Sequence, residues 1–150
     1  MIKGRIIGKE SLQKKLIALS AEAQISNAKT MTQLLVEIDS DAKKSISGGS
    51  RGGKSYKRGK NMHVASAPGE FPKTDRGGLV AGFLFNVKKL PSKVVGILEN
   101  KAPYAMAVEF KLKSQGGRPF MRPLYKKWKM IAEARFAISL KQTIQKVARG

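Results

Sequence analysis

Apolar residues recur at helical spacing from Ser11 onward: Leu12, Leu16, Leu19 and Ala23, then Met31, Leu34, Ile38 and Ala42. No proline or glycine interrupts 11–47, so the pattern predicts one long helix there, with the weak helix formers Asn27 and Thr30 marking a place to bend. Such a helix outruns a small sheet, and one half is expected to pack at home while the other meets a neighbour. Further on the period drops to two. Leu79, Ala81, Phe83, Phe85 and Val87 alternate with Val80, Gly82, Leu84 and Asn86, which predicts a strand with one apolar face. Lys88 to Ser92 reads as a turn and Val94 to Leu98 as the antiparallel partner. Tyr104 to Phe110 fits either a third strand or a short helical turn. Helical spacing returns from Pro123 through Tyr125, Trp128, Ala132, Phe136, Leu140, Ile144 and Val147, widened by Leu124, Ile131 and Ile138. Pro123 suits a first helical turn, where a missing N–H costs nothing.

These elements predict a single α+β domain over 1–150, in which a long N-terminal helix and a C-terminal helix pack on a small antiparallel β-sheet. Its expected parts are an arm or edge strand (1–10), the long helix (11–47), a flexible basic and proline-rich loop (48–78), the sheet region (79–122) and the last helix (123–148). The N-terminus lacks the long apolar core of a signal peptide, and no stretch approaches the roughly 18 apolar residues of a membrane span, so no membrane partner is expected.

Charge changes the picture more than composition does. Against 10 acidic residues stand 30 Lys and Arg, a formal +20, and such a chain seeks polyanions or acidic protein surfaces. The cations cluster. Arg51, Lys54, Lys57, Arg58 and Lys60 crowd one Gly/Ser-rich loop that holds no acid between Asp41 and Glu70. Lys111, Lys113, Arg118, Arg122, Lys126, Lys127 and Lys129 form a second set. The first loop is expected to order only on a partner, either an acidic protein or DNA.

No catalytic constellation emerges. Gly48 to Ser55 satisfies the letters of a phosphate-binding P-loop, yet that motif needs a buried strand before it and a helix after it. His63, the one histidine, falls in the loop and reads as solvated; Asp39 and Asp41, two apart, share no helical face and read as surface charges. Cysteine is absent, which removes disulfides and thiolate metal sites. No enzyme activity, cofactor or metal is expected.

One stretch stands out. Glu109 is the sole acid between Glu99 and Glu133 and lies in an apolar run, Tyr104 to Phe110. A carboxylate so placed needs a cation or donors. Arg118-Pro119-Phe120-Met121-Arg122-Pro123 follows a flexible Gly116-Gly117 and offers two guanidiniums, within the chain or from a neighbouring subunit. Tyr104-Ala105, Val108-Glu109-Phe110 and Arg118 to Pro123 together resemble the signature of the small tail completion and head–tail joining proteins of long-tailed bacteriophages. Ala67 to Pro72 with Asp75 to Leu79 is similar to that family's loop entering its first strand. Lys111 stands where the family usually carries glycine. The resemblance implies a structural virion protein that forms a ring of about six subunits between the head connector and the tail tube. Its expected partners are copies of itself, the tail tube and the neck proteins, with genomic DNA in the channel as a further contact for the basic loop. Tyr104, Glu109, Phe110, Arg118, Phe120 and Arg122 are the expected interface residues. The competing expectation from composition is a basic nucleic-acid-binding protein.

Overall fold

A computed structural model describes residues 9–49 and 52–149. Of the arm expected over 1–10, residues 9 and 10 belong instead to the first helix, and residues 1–8 lie outside the described residues, as do Arg51 and the side chain of Arg58. Helix α1 (Lys9–Ser47) is followed by strands β1 (Ser55–Arg58) and β2 (Asn61–Val64), the short helix α2 (Gly78–Ala81), strands β3 (Phe83–Leu90) and β4 (Lys93–Asn100), the short helix α3 (Ala105–Phe110) and helix α4 (Met121–Arg149). The architecture is α+β, as the patterning predicts. Both long helices run within two residues of their expected bounds, because uninterrupted helical spacing over so many turns leaves little choice.

The sheet is two separate antiparallel hairpins. In one, β3 pairs with β4 in a register from Phe83 opposite Asn100 to Leu90 opposite Lys93, turning at Pro91-Ser92. Helix α1 packs against this hairpin and also against α4. Gly96 lets β4 lie on the helix, since a Cβ there would overlap the Met31 side chain. The second hairpin, β1–β2, occupies the segment expected to be a flexible loop, turning at Gly59 with φ 57°. Its strands are four residues each.

The expected strand start at Leu79 is corrected. Gly77 adopts φ 77° and opens one helical turn, with Ala81 N donating to Gly77 O (2.8 Å), and extended structure begins only at Phe83. Leu79 and Phe83, both buried, are four apart, a spacing that fits a helical turn as well as an alternating strand. Phe85, expected inside, is exposed.

The main core lies at the C-terminal end of α1, where Ala42 and Ile46 meet Leu79, Phe83, Ala105, Phe120 and Leu124. Along the rest of α1 the antiparallel seam with α4 is polar. Ser139 and Thr143 are buried there, Ser139 Oγ lies 2.6 Å from Ser26 Oγ, and Thr30 donates to Ser139 Oγ at 3.1 Å. Sequence spacing instead assigns Tyr125, Leu140 and Ile144 to the packed face, and all three are exposed. Small hydroxyl side chains that satisfy one another permit close helix approach, and they rotate the apolar residues outward.

Ion pairs lace the seam. Arg135 donates to Glu37 with both terminal nitrogens (2.6 and 2.7 Å), a bidentate bond that holds the Glu37 carboxyl below its ordinary range. Asp41, expected on the open surface, accepts from Lys127 Nζ (2.8 Å) and from the indole N–H of half-buried Trp128 (2.8 Å). Asp39, also expected on the surface, is mostly buried and pairs with Lys43 at 2.8 Å. Burial pushes the Asp41 carboxyl up, but the Lys127 and Trp128 bonds and the charges of Lys127 and Lys44 outweigh it and hold it low. A carboxyl depressed in the fold contributes stability above its unfolded pKa and loses it as pH falls through the folded value. Stability is therefore expected to decline below about pH 4. Asp41→Asn should lower the urea midpoint at neutral pH and flatten its decline with acid, both read from Trp128 fluorescence.

Candidate functional site

Helix α3 begins after Tyr104, whose carbonyl accepts from Val108 N (3.0 Å), and ends at Lys111, whose N–H closes on Ala107 O (3.2 Å). The Ala-rich run takes its helical option. The chain then makes a 3-10 turn over Lys113–Gln115, reverses at Gly116 (φ 83°) and returns past its own outgoing segment. Gly117 is needed at that crossing, since a Cβ would overlap the Lys111 carbonyl. Arg118 N then donates to Val108 O (2.8 Å), which brings Phe120 to Arg122 over the end of α3.

Glu109 occupies the junction. Its side chain is buried, and Oε2 accepts from Phe120 N (2.6 Å) and Met121 N (2.9 Å). Oε1 accepts from Arg122 N (3.2 Å) and Arg122 Nε (3.0 Å), while Arg122 Nη2 donates to Glu109 O (2.8 Å). A helix start leaves backbone N–H groups without intrahelical partners. At α4 every one is accounted for: Glu109 takes three, Pro123 has none to offer, and Leu124 N reaches Phe120 O (3.3 Å). The carboxylate also meets the positive end of a long helix dipole. Glu109 is thus an N-cap supplied from eleven residues upstream.

The predicted site residues divide by burial. Glu109 and Phe120 are buried inside the chain, Phe120 edge-on to Phe83 with ring centroids 5.8 Å apart. Arg118 does not reach Glu109; its Nε and Nη1 donate to Ser66 O (2.9 Å) and Gly116 O (3.2 Å), tying the proline-rich loop to the glycine turn. Gly69 N adds a bond to Gly117 O (2.7 Å). Tyr104, Phe110 and Arg122 are exposed, the Arg122 guanidinium lying 5.6 Å from the Phe110 ring centroid. Tyr104 faces a separate hollow beside Tyr56 and His63, whereas around Phe110 and Arg122 the side chains of Met106, Leu112 and Tyr125 are also exposed, 65% or more each, making an apolar patch beside Lys111, Lys113 and Lys126. Sequence reasoning missed this patch because Tyr125 shares the spacing of core residues.

In the basic hairpin, Lys54, Lys57 and Lys60 are exposed. His63 is not solvated as expected. Its side chain is 17% exposed, with Nδ1 3.7 Å from Asp75 Oδ1 and its ring against Tyr56. The P-loop letters lead from Ser55 into a strand. Among the described residues no group of His, Cys, Asp and Glu is arranged to hold a metal, and no helix is long and apolar enough to cross a membrane. Comparison with protein-family models, with curated proteins and with solved structures returns no match.

Proposed function

We propose that this protein is a structural component of a phage virion that completes the tail and joins it to the head connector as a ring. The observation that carries this is the convergence of the three resembling stretches on one junction. The proline-rich loop bonds Gly117 and Arg118, and Glu109 of the second stretch caps the helix opened by the third. A signature that builds a rigid platform, rather than a cavity with reactive groups, suits a protein whose work is to hold its neighbours. The platform presents Phe110, Met106, Leu112 and Tyr125 with a basic rim, a composition that fits an acidic protein surface with apolar anchors. A ring of about six such chains carries about +120, so free subunits repel and assembly awaits an acidic tail or connector surface.

Negative-stain microscopy of the protein alone and mixed with tail tubes tests this; rings, or a cap on one tube end, are the expected result. Monomers that ignore tubes overturn it. Phe110→Asp separates docking from folding: it should stay within about 1 kcal/mol of the parent, since the residue is 66% exposed, while abolishing capping.

A further inference from the structure

A cavity of about 570 Å³ opens between the basic hairpin and the loop that follows it, within the size range of ligand sites. Tyr56 and His63 are directly paired across β1 and β2, with ring centroids 5.1 Å apart. Asp75 holds both: Tyr56 OH donates to Oδ2 (3.3 Å), and His63 Nδ1 faces Oδ1 (3.7 Å). That leaves an aromatic wall of fixed orientation, with Tyr56 still 41% exposed. The charged side chains of the lining, among the described residues, are Lys73, Arg76 and Arg118 against Asp75, three positive and one negative, net +2 with histidine neutral. Among the described residues no carboxylate pairs with Lys73, Arg76 or Arg118, and Arg118 is anchored through carbonyls alone.

From this geometry we infer that the cavity binds single-stranded nucleic acid, taking a backbone phosphate among Lys73, Arg76 and Arg118 and stacking an adjoining base on Tyr56. Unpaired cations in a concave site attract a phosphate, and a planar ring held beside them offers a π-face that any unstacked base can use. A duplex keeps its bases stacked inside and cannot enter so small a hollow. The inference does not rest on the tail reading, and ring formation should survive loss of the site.

The test is fluorescence anisotropy with a short labelled oligothymidylate and the full chain. Lys73→Gln with Arg76→Gln should weaken binding at least about tenfold and reduce the salt slope by about 0.7, because the one phosphate held there is no longer neutralised. Tyr56→Ala should weaken it at least about fivefold. Lys14→Gln with Lys15→Gln removes the same charge roughly 45 Å along α1 from the core end and should leave affinity unchanged, as should the fold of all variants by circular dichroism. Equal losses in both double variants overturn the site, because bulk charge then explains the binding. So does a duplex of equal length that binds as tightly, or polyglutamate that displaces the strand with the same sensitivity to Lys73 and Arg76. Thymidine monophosphate binding as tightly as the oligonucleotide overturns the strand assignment in favour of a free phosphate ligand.

Discussion

Glu109→Ala should destabilise the protein by about 3–5 kcal/mol, the range for removing one partner of a buried ionic network. The loss has several parts acting together. Three backbone N–H groups at the start of α4 lose their acceptor, and Arg122 loses the bond to its Nε. Each buried donor left unmet costs about 1–3 kcal/mol, less whatever water recovers. Against a total stability of about 5–15 kcal/mol, the substitution takes a large share. Glu109→Gln keeps the shape and one acceptor oxygen but turns an amide N–H₂ toward backbone donors, so a loss of about 2 kcal/mol is expected. Urea midpoints followed by Trp128 fluorescence measure both variants. Glu109→Ala with an unchanged midpoint would show that the carboxylate does not cap α4. The same experiment bears on assembly: a role at a subunit contact alone would disrupt rings while leaving the monomer midpoint intact.

Phe120→Ala is expected to cost about 3–5 kcal/mol through the cavity it leaves. The ring is 1% exposed and sits where Ala42, Ile46, Leu79 and Phe83 converge, so helix, hairpin and turn are all loosened at once. Its edge-on packing with Phe83 adds an aromatic contribution of about 0.5–1.5 kcal/mol within that total. Phe120→Leu should recover most of the loss. Because the Phe120 N–H is itself bound by Glu109, the two sites are coupled, and the double variant should lose less than the sum of the singles. Strict additivity in that cycle would mean that the cap and the core act independently.

Long-range order in the sequence is confined to its two helices, and there the reason is local. Unbroken runs of helix formers, with a proline only near the start of α4, specify α1 and α4 whatever they pack on. The antiparallel β3–β4 pair was legible as two apolar runs about a turn, but its extent was not: the turn expected over Lys88–Ser92 narrows to Pro91-Ser92, because Lys88, Lys89 and Leu90 pair with Val95, Val94 and Lys93. The need of Glu109 for a partner could also be read from a lone acid among apolar neighbours. Arg122, one of the two guanidiniums the sequence offered, is indeed a partner, but the three backbone donors could not be read. Backbone N–H groups carry no sequence signal, and the cap exists only because Gly116 and Gly117 fold the chain back on itself.

Other features were decided by the tertiary structure alone. Periodicity placed Leu140 and Ile144 on the packed side of the last helix, but hydrogen bonding selected Ser139 and Thr143 for the seam with α1, because a buried hydroxyl with a partner costs little and admits closer packing than a branched chain. The Gly- and Lys-rich segment looked unstructured from composition, while cross-strand pairing of Tyr56 with His63, both fixed by Asp75 more than ten residues away, makes it a hairpin. Contacts that join distant residues leave no period in the chain. They form only when folding brings the partners together, and in this protein they include both the helix cap and the basic cavity.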